Sequence, residues 1–152
     1  MFVTISKFPQ IYQISPKILT FKTKMQFHTR KLVKPEDLNA NGILFGGKLI
    51  AWIDEEAALF TIVLLNNPKV VTKFISEINF MSAAKQGDIV EIGIDVAKFG
   101  KSSVVLKSVV RNMMTKETII TIDNITMVNL GEDEKPNPHG KTLMDLKNRF
   151  EK

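Results

Sequence analysis

The 152-residue chain contains no cysteine and only two histidines. The lack of cysteine excludes a disulfide scaffold and a metal site built from thiolates. His28 and His139 lie far apart and outside the apolar segments, so we expect no metal site. The chain also has no apolar run long enough to span a bilayer and no secretory hydrophobic region. We therefore expect no membrane partner.

Acidic residues are absent from residues 1–24, which carry four lysines. These lysines account for most of the net charge of +5, so the rest of the chain is nearly neutral. It has no basic stripe interleaved with aromatics, and we expect no nucleic-acid partner. We interpret residues 1–24 as an N-terminal extension that is disordered or reflects a wrongly assigned start. The alternative is an organelle-targeting segment, although the first arginine is Arg30.

The segment from Lys48 to Leu65 has neither glycine nor proline, and its acids are confined to Asp54, Glu55 and Glu56. A helix this apolar on nearly all faces is typical of the interior of a domain. The segment therefore predicts a long, buried helix that carries a carboxylate. Glu55 and Glu56 are rotated by about 100° and 200° from Asp54, so we expect them to lie outside its site.

The period changes after this helix. Between Asp88 and Val96, apolar residues alternate with Glu91, Gly93 and Asp95, which predicts a strand with one buried face. An antiparallel sheet that buries one helix has the α+β class, and its free edges favour a dimer. Further strands are predicted at 26–33, 69–80, 103–111 and 118–129, followed by a polar linker at 131–138 and a short amphipathic helix within 141–152.

One segment carries the clearest resemblance to a known family. Asn-Ala-Asn-Gly-x-x-Phe-Gly-Gly at residues 39–47, followed by a helix with Asp54, resembles the acyl-CoA thioesterases of the hotdog fold. The likeness covers roughly Thr29 to Leu130. Three later segments and one dipeptide continue it in the family's order: Val70-Val71-Thr72, Asn79-Phe80, Gly87-Asp88-Ile89-Val90 and Gly100-Lys101-Ser102-Ser103.

This resemblance implies a hotdog domain at residues 25–130, with an antiparallel sheet wrapped around a long central helix. It implies hydrolysis of acyl-CoA to a free acid and coenzyme A in the cytoplasm, without a cofactor. It also implies dimers, assembled as a trimer of dimers. The alternative function is a non-catalytic acyl-CoA-binding module. Residues 131–152 would form the linker and the short C-terminal helix.

Asp54 occupies the position of the family's catalytic acid, where it acts as nucleophile or general base. From the sequence pattern alone, it is equally well a surface acid. Asn39 would hold a water or bind the thioester oxygen, although the same residue also suits a turn. Gly46 and Gly47 lie at the entry to the helix, where backbone N–H groups can bind an oxyanion, although the same glycines also suit close packing of the loop against the sheet.

Further residues in the matching segments are expected to contact the substrate: Asn41, Phe45, Thr72, Lys101, Ser102 and Ser103. The last three would meet the coenzyme phosphates, unless they form a plain polar turn. Three features depart from the family pattern: Ile43 replaces an Asp, Ala83-Ala84 stands in place of a proline, and the amino-terminal extension has no counterpart in the compact bacterial members.

In the resembling family, the residue equivalent to Asn39 acts with the acid of the neighbouring subunit, so the resemblance implies a site shared across the dimer interface. The spacing is compatible with this, because Asp54 lies eight residues beyond Gly46, about 12 Å along a helix. The preferred acyl length is not fixed by the sequence. We expect it to depend on the packing of Phe45, Trp52, Leu59 and Phe74.

Overall fold

A computed structural model describes residues 25–150, with side chains as far as Leu146. The expectation for residues 1–24 lies outside these described residues. Within the described residues, six strands and two helices follow one another: β1 (Gln26–Leu32), α1 (Gly46–Leu65), β2 (Val70–Ile75), β3 (Ile78–Phe80), β4 (Ile89–Phe99), β5 (Ser103–Asn112), β6 (Thr118–Asn129) and α2 (Leu143–Phe150). A single 3₁₀ turn, Pro35–Asp37, lies between β1 and α1.

The strands form one antiparallel sheet in the order β1-β4-β5-β6-β2, and β3 pairs with β6 next to β2. The helix α1 packs on one face of this sheet. Its buried side chains recur every three or four residues, which places them on one stripe: Leu49, Ile53, Ala57, Thr61, Leu64 and Leu65. The predicted antiparallel α+β architecture with a central helix is confirmed.

The end of α1 follows from local chemistry. Asn66 adopts the left-handed conformation at φ 53° and donates its backbone N–H to the carbonyl of Ile62. Asparagine tolerates this conformation better than most residues, and Pro68 follows two positions later. Within the described residues, no helix is long and apolar enough to cross a lipid bilayer.

The single strand predicted at 69–80 is wrong, because the structure has two strands, β2 and β3. The break occurs at Ser76, whose backbone N–H donates to the carbonyl of Asn124 at 2.9 Å. The Ser76 hydroxyl in turn accepts the N–H of Asn124 at 3.1 Å. These two bonds to a distant residue lie at the break between β2 and β3, and neither is visible in a periodic pattern.

The prediction that only one face of β4 is buried is also wrong. Glu91 and Asp95 point to the face opposite α1, yet they are only 3% and 6% exposed. Arg111 Nε lies 2.6 Å from Glu91 Oε1, Lys116 Nζ lies 3.0 Å from the same oxygen, and Lys107 pairs with Asp95 at 3.2 Å. Buried carboxylates persist where such partners compensate for lost water.

The cations around Glu91 decide its ionisation. Burial raises the pKa of Glu91, but the bonds to Lys116 and Arg111 outweigh burial and hold the pKa below its ordinary value. The guanidinium of Arg111 also stacks at 3.7 Å over the ring of Phe27. Glu91 therefore stays charged at neutral pH and joins β4 to β5.

Ser108 on β5 is a polar exception in the core. It is 2% exposed, and among the described residues its hydroxyl is the single buried side-chain polar atom with no hydrogen-bond partner. A buried polar group without a partner costs about 1–3 kcal/mol. Removing the hydroxyl therefore removes the free-energy cost of a buried, unpaired polar group and leaves little empty space.

We expect Ser108→Ala to raise the free energy of unfolding by about 1 kcal/mol, measured by urea denaturation. Ser82→Ala is the matched control, because the Ser82 hydroxyl donates to the carbonyl of Thr118 at 2.9 Å. That variant should lower the free energy of unfolding by a similar amount. A loss of stability in Ser108→Ala would show that its hydroxyl has a partner in solution.

Candidate active site

Asp54 lies half-buried on α1 and is held by one hydrogen bond. The hydroxyl of Thr72, on β2, donates to Asp54 Oδ1 at 2.6 Å. Within the described part of the chain, the second carboxylate oxygen has no partner. The neighbouring acids point elsewhere: Glu55 pairs with Lys31 at 3.5 Å, and Glu56 accepts the hydroxyl of Thr29. Asp54 is thus the acid of this trio that faces β2.

Asn39 organises the loop that precedes α1. Its backbone N–H donates to the carbonyl of Ile43 at 2.8 Å, and its carbonyl accepts the N–H of Gly42 at 3.0 Å. Its side-chain Oδ1 accepts the N–H groups of Asn41 at 2.9 Å and Ile43 at 3.4 Å. The acceptor side of the Asn39 amide is occupied by the loop, which leaves the Nδ2 donor for another group.

The first two residues of α1 are glycines, and each lies against an exposed aromatic ring. A Cβ atom at Gly46 would lie 3.0 Å from the ring of Phe80, and one at Gly47 would lie 2.7 Å from the ring of Phe45. Helix geometry leaves the first backbone N–H groups without intrahelical acceptors. The start of α1 therefore offers N–H donors beside two aromatic rings.

Asp37 stabilises the loop that precedes α1. Its carboxylate is 4% exposed, accepts the backbone N–H of Lys34 at 3.0 Å and pairs with Lys48 Nζ at 3.3 Å. Its carbonyl accepts the N–H of Phe45 at 2.8 Å. One residue thus connects the chain before the loop to the start of α1. Motif spacing did not reveal this role, although an acid two residues before Asn39 was visible.

The backbone N–H of Lys34 is the main cause of a lowered pKa at Asp37. Burial acts in the opposite direction, and Lys48 adds to the lowering. A carboxyl whose folded-state pKa is depressed contributes stability above its unfolded pKa of about 4, and this contribution is lost as the pH falls through the folded-state value.

A cleft with a volume of about 380 Å³ opens beside the start of α1. It includes Asn39 and Gly46 but neither Asp54 nor Thr72. None of Phe45, Trp52, Leu59 and Phe74 lines it, so the expectation that these four shape an acyl site does not apply to this cleft. The lining residues are Asn39, Ile43, Leu44, Gly46, Leu49, Phe80, Met81, Ser82, Ala83, Ala84 and Ile119.

Most of these lining residues have no signal in the sequence that marks them as part of a cleft. Leu49 and Ile119 look like ordinary core residues, and no spacing rule separates a cleft wall from a core. Ala84 gave a partial signal, because it departs from the family pattern. Its carbonyl accepts the N–H of Leu44 at 2.8 Å, so this segment is fastened to the loop without the family's proline.

The turn Gly100–Ser103 joins β4 to β5. The N–H of Gly100 donates to the carbonyl of Ser103 at 2.7 Å. Register places Thr72 beside Met127, and Met127 beside Val104. With strands about 4.8 Å apart, Thr72 lies about 10 Å from the start of β5, at the same end of the sheet.

The segment after β6 fastens this turn. The N–H of Asn129 donates to the carbonyl of Ser102 at 2.8 Å, and the N–H of His139 donates to that of Lys101 at 3.2 Å. The ring of His139 contacts the carbonyl of Ser103 at 3.1 Å. The side chain of Lys101 remains exposed. Among the described residues, no three metal-ligating side chains come together.

The predicted site residues thus fall into two groups within one chain. Asn39 and Gly46 line the cleft, with Asn41, Phe45 and Gly47 in the adjoining loop and helix start. Asp54 and Thr72 form the second group, at the end of the sheet that carries Lys101, Ser102 and Ser103. The structure does not bring the acid into the cleft of its own chain.

A family model described as the thioesterase superfamily matches residues 41–117, half of the chain. The chain belongs to the thioesterase superfamily. An uncharacterized acyl-CoA thioester hydrolase of Buchnera aphidicola is 36% identical over 75 residues, which are 49% of this chain and 55% of that protein. The chain therefore spans about half of the length of this curated relative.

Solved structures give a wider match to this chain. A hexameric thioesterase from Yersinia pestis is 26% identical, with a TM-score of 0.70, over 76% of this chain and 96% of the other. A hexameric acyl-CoA thioesterase in its apo form is 33% identical, with a TM-score of 0.66, over 82% of this chain and 81% of the other. The hotdog architecture expected from the resemblance is confirmed.

We expect Asp37→Asn to lower the free energy of unfolding by about 1–3 kcal/mol at pH 7, because a charge-assisted bond and an ion pair are lost. The decrease in stability of the parent below pH 4 should become shallower in the variant. Urea denaturation across pH 2.5–7 measures both effects.

Asp88→Asn serves as the control for this prediction. Asp88 accepts the N–H of Lys85 at 2.8 Å in an exposed turn and has no ion pair among the described residues. Its substitution should cost less than that of Asp37. Equal losses in the two variants would argue against a special bracing role for Asp37.

Proposed function

We propose that this chain is an acyl-CoA thioesterase, which hydrolyses acyl-CoA to a carboxylic acid and coenzyme A. The observation that carries the proposal is the hydrogen bond from Thr72 to Asp54, which fixes one carboxylate oxygen and leaves the other for chemistry. Membership of the superfamily and the hydrolase names of the relatives support it. We assign the activity to residues 25–130 and place it in the cytoplasm.

Asp54 has two possible chemical roles. As a general base, its free oxygen takes a proton from water, and the hydroxide adds to the thioester carbonyl. The C–S bond then breaks, and the coenzyme A thiolate recovers the proton. As a nucleophile, the oxygen adds to the carbonyl directly, displaces the thiolate and forms an anhydride that water cleaves. Neither route requires a metal or a redox cofactor.

The start of α1 supplies the donors for the oxyanion. The N–H groups of Gly46 and Gly47 and the Nδ2 group of Asn39 are available for the thioester oxygen. Because the loop N–H groups already occupy Asn39 Oδ1, we assign Asn39 the role of donor to that oxygen rather than of acceptor for a water. The turn role and the site role of Asn39 are compatible.

We further propose that each site is built from two chains. Asp54 lies about 12 Å beyond Gly46 on the helix and does not line the cleft of its own chain. A second copy can supply the missing acid. The surface for this association consists of side chains on α1 and β2 that are about half exposed: Leu59, Val63, Val71 and Phe74.

Dimers of this kind would assemble further into a trimer of dimers, as the hexameric relatives suggest. The turn Gly100–Ser103 lies at the Thr72 end of the sheet, and we assign it to the coenzyme phosphates. Lys101 has no ion-pair partner among the described residues, so its charge is available for a phosphate. The hydroxyls of Ser102 and Ser103 add donors, and the exposed Asn41 and Phe45 supply contacts from the loop.

We expect Asp54→Asn to lower kcat for acyl-CoA hydrolysis about 10²- to 10⁴-fold. The substitution removes the base or nucleophile but keeps the size and shape of the side chain. A thiol-detecting assay measures the released coenzyme A. Glu55→Gln is the matched control, since Glu55 occupies the next position and makes an exposed ion pair. It should keep parent activity.

The same assay separates the two candidate functions. Parent protein that binds acyl-CoA but releases no thiol would favour the non-catalytic binding module. A folded Asp54→Asn variant with parent turnover would remove Asp54 from the proposed chemistry.

The composite site predicts complementation between two inactive variants. Asn39→Ala and Asp54→Ala should each be inactive alone, and refolding them together should restore about a quarter of parent activity. Random pairing makes half of the dimers mixed, and each mixed dimer has one intact site of two. Native mass spectrometry verifies the mixed dimers. Mixed dimers without activity would place both residues in a site within one chain.

A further inference from the structure

We infer that Leu49 and Ile119, with Ala84, form the inner wall of an acyl pocket and restrict this chain to short acyl groups. The inference rests on the proposed thioesterase function and adds a chain-length class to it. Its basis is the cleft beside the start of α1, whose two ends differ in chemistry.

The more exposed lining of the cleft combines Asn39 and Gly46 with the side chains of Phe80 and Met81, whereas its inner side is apolar. We place the thioester carbonyl at Asn39 and the backbone N–H of Gly46. The inner side is formed by aliphatic side chains that are 7% exposed or less: Leu44, Leu49, Ala84 and Ile119. An acyl chain that leaves the carbonyl therefore enters an apolar space, in which its burial is favourable.

Helix geometry sets the depth of this space. Gly46 and Leu49 are three residues apart on α1 and lie on the same side, about 4.5 Å apart along the axis. A chain anchored at Gly46 thus meets the Leu49 side chain within one helical turn. The total volume of about 380 Å³ lies within the range of about 300–1,000 Å³ for small-molecule sites. The position of Leu49, rather than the total volume, is therefore what we infer to limit the length of the acyl chain.

Backbone hydrogen bonds brace the wall. The carbonyl of Ile119 accepts the N–H of Met81 at 2.9 Å and that of Ser82 at 3.4 Å, while the carbonyl of Ala84 accepts the N–H of Leu44 at 2.8 Å. The segment after β3 is thus fastened to β6 on one side and to the loop on the other. A longer acyl chain cannot displace this wall without breaking these bonds.

The decisive experiment compares two leucines of α1. Leu49 and Leu64 are 2% and 3% exposed, but only Leu49 lines the cleft. The kcat/KM values for butyryl-CoA, octanoyl-CoA and palmitoyl-CoA are measured for the parent, Leu49→Ala and Leu64→Ala. Affinities for S-butyl- and S-octyl-coenzyme A, thioethers that cannot be hydrolysed, are measured in parallel.

The parent should prefer butyryl-CoA. Leu49→Ala should raise the octanoyl-to-butyryl ratio of kcat/KM at least 10-fold, since one methylene in an apolar pocket changes discrimination about 10- to 200-fold. Leu64→Ala should leave this ratio within twofold, whatever it does to stability. If Leu49→Ala does not fold, the milder Ile119→Val replaces it, with a smaller shift in the same direction.

Two results would overturn the inference: a parent that prefers palmitoyl-CoA, or a Leu49→Ala ratio that equals the Leu64→Ala ratio. Failure of the proposed function has a different signature, because no acyl-CoA would then be hydrolysed. In that case the thioether affinities still test the pocket. A parent that binds the S-octyl compound as tightly as the S-butyl compound would contradict a pocket that is limited to short acyl groups.

Discussion

The packing of α1 across the sheet determines where each proposed site residue lies. Its buried stripe fixes the rotation of the helix, and this rotation sends Asp54 towards β2 while Glu55 and Glu56 contact residues of β1. The same packing fixes the translation of the helix, which holds Gly46 at the cleft and Asp54 about 12 Å away. A change in either the rotation or the translation of α1 would separate Asp54 from Thr72.

Local periodicity predicted the main elements because it has a direct physical cause. The apolar run from Lys48 to Leu65 predicted α1 to within two residues of its observed start, and alternation predicted β4 from Asp88 onwards. The break at Ser76 was not predictable, because it depends on Asn124, which lies 48 residues away. The burial of Glu91 likewise depends on cations on β5 and in the turn that follows it.

The proposed site residues were also predictable only where they lie close together in the sequence. The spacing of Asn39, Gly46 and Asp54 was visible as a motif, since these residues lie within one continuous segment. The inner wall of the cleft is assembled from α1, from β6 and from the segment after β3, so it has no signature in the sequence. Its aliphatic residues resemble any core residues until the fold shows that empty space lies beside them.

The loop before α1 shows how one segment can be rigid and still offer free donors. Asp37 connects the start of the loop to Phe45 and Lys48, and Ala84 holds Leu44 from the side. Inside the loop, Asn39 Oδ1 satisfies two N–H groups. Rigid donors cost little reorganisation when charge develops on a substrate oxygen. What this loop cannot supply is a carboxylate with a free oxygen, because Asp37 is fully engaged and Asp54 lies a further two helical turns away. This separation is the physical reason for our proposal that a second copy of the chain supplies the acid.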